Sequence, residues 1–77
     1  MAKYIGEDMV YADLVSAKCI VLENGKEYDV RFRYDGPRTI INSQVVYHPG
    51  ATIWAVLEHG EINIPFAPDL ISNFWEE

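Results

Sequence analysis

A chain of 77 residues with twelve acidic and six basic side chains, net charge −6 at pH 7, has room for one small domain (1–77) and disfavours nucleic acid and anionic membranes as partners. Cys19 is its only cysteine, which excludes an intrachain disulfide and a disulfide-stapled secreted scaffold, so a reducing cytoplasm is the expected compartment. The residues are 49% hydrophobic and 13% aromatic, more apolar surface than so small a core absorbs, while no apolar run approaches the roughly 18 residues of a membrane span and no signal-peptide pattern opens the chain.

From Met1 to Asp8 the sequence is mixed and reads as a lead-in with a short edge strand at Lys3 to Ile5. Residues 9–17 fit two patterns: a short helix capped by Asp8 with Val10, Leu14 and Ala17 on one face, or a strand. The β-branched residues that follow favour a strand from Val15 to Glu23. Asn24-Gly25 then separates two strand-like runs, the sequence signature of a type I′ hairpin turn, in which both central residues take positive φ. The second run, Tyr28 to Tyr34, alternates strictly, with Tyr28, Val30, Phe32 and Tyr34 on one face and Asp29, Arg31 and Arg33 on the other. A hairpin over 15–34 with Glu23 opposite Lys26 places Val21 against Tyr28, Cys19 against Val30 and Lys18 against Arg31.

Asp35-Gly36-Pro37 breaks the strand. Arg38 to Ile41 and Val45 to Tyr47 flank a polar Asn42-Ser43-Gln44, as one bulged strand or two short ones. After the His48-Pro49-Gly50 turn, Thr52 to Leu57 is apolar on both faces and needs a cover on each, from barrel closure, from the C-terminal segment or from another subunit. Glu58 to Glu61 turns the chain into a strand over Ile62, Ile64 and Phe66, which Pro65 confines to a sheet edge. Asp69 reads as the cap of a short terminal turn bearing Leu70, Ile71, Phe74 and Trp75. The expected fold class is mainly β: a small, bent, five-stranded antiparallel sheet, or a barrel of SH3 or OB type by strand count and spacing alone, with a short C-terminal helical turn.

No constellation in the sequence carries catalysis. Cys19 falls on the inward face of the expected hairpin as a core residue. His48 and His59 flank a strand that separates them by roughly 20 Å. Glu58, His59 and Glu61 share a turn but amount to solvated polar groups rather than a metal centre, and no cofactor is implied. The expected function is therefore that of a non-enzymatic, acidic binding protein of inhibitor or accessory type, which forms a homo-oligomer and occludes a partner macromolecule. The interface would use Trp54, Leu70, Ile71, Phe74 and Trp75. The alternative is an oligomeric module that sequesters a small anionic ligand such as a nucleotide. Its anion site would be Lys18, Arg31, Arg33 and Arg38 with Tyr34 stacking beside them, since the 15–34 register gathers like charges that need a counter-ion.

Overall fold

A computed structural model describes the whole chain, Met1 to Glu77. Ten short strands carry the fold: β1 Ala2–Tyr4, β2 Met9–Asp13, β3 Lys18–Leu22, β4 Glu27–Tyr28, β5 Arg31–Asp35, β6 Arg38–Ile41, β7 Gln44–Tyr47, β8 Thr52–Leu57, β9 Ile62–Phe66 and β10 Trp75–Glu76. Single 3-10 turns lie at Glu58–Gly60 and Ile71–Asn73. All pairing is antiparallel, in two three-stranded sheets ordered β5-β8-β9 and β10-β1-β4 and two ribbons, β2-β3 and β6-β7. The mainly β class holds, but neither a single five-stranded sheet nor a closed barrel forms.

In the β5-β8-β9 sheet the period-2 pattern sorts residues into cross-strand rows. Phe32, Ala55 and Ile64 form one row, which faces the core, and Tyr34, Ile53 and Phe66 form the next on the same face, from buried Phe66 and Ile53 out to exposed Tyr34. Arg33, Trp54 and Pro65, and Arg31, Val56 and Asn63, form the rows of the opposite face. β8 is central and β9, with Pro65, is an edge strand, where a missing N–H costs nothing to the ladder. Against this sheet packs the β10-β1-β4 sheet, bringing Ala2, Tyr4 and Trp75 into a core shared with Leu22, Val30, Leu57, Ile62 and Ile64.

Trp75 is the hub of that core. Its indole meets Tyr4, Tyr28, Phe32 and Phe66 edge-on at centroid separations of 5.3, 6.0, 5.8 and 6.4 Å, the geometry that aromatic quadrupoles favour. Burial pushes the Tyr4 hydroxyl above its ordinary pKa, with the charges of Asp8 and Glu7 adding, and that hydroxyl donates to the Glu7 carbonyl at 2.7 Å.

The hairpin expected over 15–34 does not form. β3 pairs with β2, in the register Met9 to Leu22 through Asp13 to Lys18, while β4 pairs with β1 and β5 with β8. Only Gly25 of the Asn24-Gly25 turn has positive φ (85°), so the turn is not type I′. Its polar groups are spent on the lead-in instead. The Asn24 amide donates to the carbonyls of Ile5 and Gly6, its backbone N–H to Asp8 Oδ1, and the Gly25 N–H to the Tyr4 carbonyl. These non-local bonds seat β1 between β4 and β10, so β1 is the middle strand of its sheet and not an edge. Residues 9–13 are strand and 14–17 its turn, and Cys19 is exposed and not a core residue.

The two positive φ values of a two-residue hairpin turn occur elsewhere, at Asn42 (50°) and Ser43 (65°), and fold residues 38–47 into a ribbon. At its base Gly36, with φ 95°, approaches the backbone of Gly50 and Ala51 so closely that an added Cβ would lie 2.9 Å from the Gly50 oxygen and 2.8 Å from the Ala51 Cα. Only glycine meets both demands. At the C-terminal end, the turn at Ile71–Asn73 begins from Leu70 without a side-chain cap, so Asp69 does not serve as one.

Candidate functional site

The basic residues expected to gather are distributed by the true register. Lys18 of β3 lies opposite Asp13 of β2 and pairs with Glu61, which immediately precedes β9. Arg31 and Arg33 do share one face of β5, opposite Val56 and Trp54. Arg33 sits over the Trp54 ring at 5.6 Å and reaches Asp35 at 3.9 Å, the outer limit of an ion pair. Arg31 lines a separate hollow with Asp29 and His59. Arg38 stands at the base of the β6-β7 ribbon, opposite Tyr47. Tyr34 is on the other face of β5, where it stacks on Tyr47 at 6.1 Å. The cross-strand pairing of Lys18 with Arg31 belongs to the 15–34 register and does not form.

The expected interface residues divide similarly. Trp75 is consumed by the chain's own core, and Ile71 and Phe74 pack against that core, Phe74 meeting Phe66 at 5.1 Å. The terminal segment thus docks on its own body, which leaves Leu70 as its one largely exposed apolar side chain. Trp54 is half-buried on the outer face of β8, and its indole N–H has no acceptor although solvent does not reach it.

Two apolar features stand free. The first is the β6-β7 ribbon, hereafter the arm. Of its strand residues only Tyr47 is partly covered, and Ile40, Ile41, Val45 and Val46 are exposed. The register places Ile40 and Val45 on one face and Ile41, Val46 and Thr39 on the other, and apart from Tyr47 near the root, which stacks on Tyr34, neither face is covered by the body. At the root, Thr39 Oγ1 and His48 Nε2 share a 2.6 Å hydrogen bond and the His48 N–H donates to the Pro37 carbonyl. The two short strands are legible on either side of Asn42-Ser43-Gln44, but their standing free as an arm is not, because the apolar pairs are short and interrupted. The signal available was charge: from Thr39 to Tyr47 there is none, in a chain where 23% of residues are charged.

The second is the tip of the β2-β3 ribbon, where Leu14 and Val15 are 93% and 99% exposed. This tip is nonetheless ordered by Asp13. Its Oδ1 accepts from the N–H groups of Val15 and Ser16 at 2.9 and 3.3 Å, and its Oδ2 from the Asn63 N–H at 2.9 Å. Those donors, the Asn63 N–H foremost, hold the Asp13 carboxyl below the usual carboxylate range against the opposing effect of burial. Between the tip and the Arg33–Trp54 pair runs a cleft of about 410 Å³.

No group of three or more His, Cys, Asp or Glu side chains converges to hold a metal ion, and no helix is long and apolar enough to cross a membrane. No family model matches the chain, and neither the curated proteins nor the solved structures compared with it provide a match.

Proposed function

We propose that the protein is a non-enzymatic binding protein that self-associates through its arm, one copy against another, and acts by occluding a partner macromolecule. The observation that carries this reading is an arm with exposed Ile40, Ile41, Val45 and Val46 on two faces and no charge beyond Arg38 at its root. A two-stranded ribbon is marginal alone in water, and a third and fourth strand are what stabilise it. Natural edge strands are ordinarily guarded by charge or proline, and this arm has neither between Thr39 and Tyr47. Because the remaining charges of a chain at −6 lie outside it, two copies meet with least repulsion arm to arm.

Pairing of like edges about a twofold axis closes the assembly at two copies and makes a four-stranded ribbon. Such pairing lays the Ile40–Val45 rows of the two copies side by side, so that their side chains support the new ladder, and leaves the Ile41–Val46 face available for a partner. The test is sedimentation velocity over a concentration series, comparing the native protein with the double variant Ile40→Lys, Val45→Lys. A dimer in the native protein and a folded monomer in the variant are expected. A native protein that sediments as a monomer at every concentration overturns the reading.

A further inference from the structure

We propose that the cleft between the Leu14–Val15 tip and the Arg33–Trp54 pair is a second binding site, independent of the arm, which takes an extended peptide segment presenting a carboxylate beside an apolar side chain. Its apolar wall comes from Tyr11, Leu14 and Val15, and its opposite wall is the Arg33 guanidinium lying over the Trp54 indole.

Four observations converge on that ligand. Leu14 and Val15 are the most exposed large apolar side chains of the protein, yet Asp13 fixes the backbone beneath them, so a partner covers them without first ordering a loop. The Trp54 N–H is shielded from water and lacks an acceptor, a defect that a ligand oxygen repairs. Arg33 has only the distant Asp35 as counter-ion, leaving guanidinium donors open to a carboxylate in forked geometry. Asp13, the one acid lining the cleft, has both oxygens engaged by N–H donors, so its charge is already compensated where the ligand would sit.

The chemistry selects a peptide over a bare anion. A carboxylate drawn to Arg33 moves the guanidinium off the ring and exposes the indole N–H, while a neighbouring apolar side chain covers Leu14 and Val15. Inorganic phosphate satisfies the first interaction and leaves the second unmade, and a net charge of −6 disfavours nucleic acid.

The two indole N–H resonances provide the test, because Trp54 faces the cleft and Trp75 lies in the core as an internal control. The full chain, labelled with ¹⁵N, is titrated with a capped tripeptide of glutamate between two leucines, with its glutamine twin, and with phosphate. The Trp54 indole signal is expected to move with the glutamate peptide while that of Trp75 stays. The glutamine twin should bind about tenfold more weakly, as loss of one charge-assisted pair implies. Arg33→Gln should remove the preference for glutamate, and Leu14→Ser should weaken both peptides. Equal response to the two peptides, or an unmoved Trp54 signal, overturns the proposal. A phosphate response as large as that of the glutamate peptide reduces the cleft to a general anion site and also overturns it.

Discussion

The β2-β3 ribbon and the β6-β7 arm are the same kind of object, two short antiparallel strands joined by a tight turn, but the body of the protein treats them oppositely. The first is stitched down. Leu22 is fully buried, Met9, Tyr11 and Ile20 pack against the core, Asp13 takes the Asn63 N–H and Lys18 pairs with Glu61. The second touches the body mainly through the Tyr34–Tyr47 stack and the bonds at its root. What separates them is where polar groups fall. The docked ribbon ends in a carboxylate and an ammonium placed to meet partners on and beside β9, whereas the arm has nothing beyond its root with which to hold on to the body. An apolar ribbon without polar anchors is the one left exposed.

Truncation tests that contrast most strongly. Leu22→Ala removes a side chain with no exposure and should cost about 2–5 kcal/mol, a large share of the stability of so small a domain, read as a lowered urea midpoint. Ile40→Ala in the arm should leave monomer stability within about 0.5 kcal/mol. Similar losses in both would erase the distinction.

The Asp13 anchor gives a second, pH-dependent test. Its folded pKa lies below the ordinary carboxylate value, so its contribution is fully present above about pH 4 and is lost as pH falls through the depressed folded value. The destabilisation caused by Asp13→Ala should therefore be constant from neutrality down to about pH 4 and shrink below it. Thermal melts of both proteins between pH 2 and 7 would show this, and a gap that persists undiminished at the acid end would sink the assignment.

The smallest effect lies at the arm's turn. Ser43 adopts φ 65°, which costs a non-glycine residue free energy that glycine does not incur. Ser43→Gly should raise stability by about 0.5–1 kcal/mol and sharpen arm pairing, seen as slower amide exchange in β6 and β7. Faster exchange in the variant would contradict that account of the turn.

Much of the element list was legible in the sequence, and most of the pairing was not. Alternation identified the strand around Arg31 to Tyr34, the two-faced run Thr52–Leu57 matches β8, and Pro65 correctly marked an edge. Asn24-Gly25 misled because a turn signal states that the chain bends and says nothing about what the flanking strands pair with. Here the side chain of Asn24 served the lead-in, and the long-range partners of β4 and β5 prevailed. The inward Cys19 and the cross-strand pairing of Lys18 with Arg31, both drawn from that register, failed with it. Arg33 and Trp54 were both singled out from the sequence, but their contact depends on β5 pairing with β8, which no local pattern encodes. The actual hairpin turn passed unread because serine seldom occupies the left-handed region.

The position of Trp75 at the centre of the core sets an order of events. Tyr4 and Trp75, directly paired across β1 and β10, lie near opposite ends of the sequence, so their contact closes almost the whole chain as one loop. Hairpins form in about 1–10 μs, whereas folds that depend on such distant pairings complete in milliseconds to seconds. The pairing of the arm, by contrast, lies within residues 38–47 and needs no distant part of the chain. Stopped-flow refolding followed at the Trp75 indole should report a phase slower than the microsecond scale of hairpin formation, because the core closes only when the two ends of the chain meet.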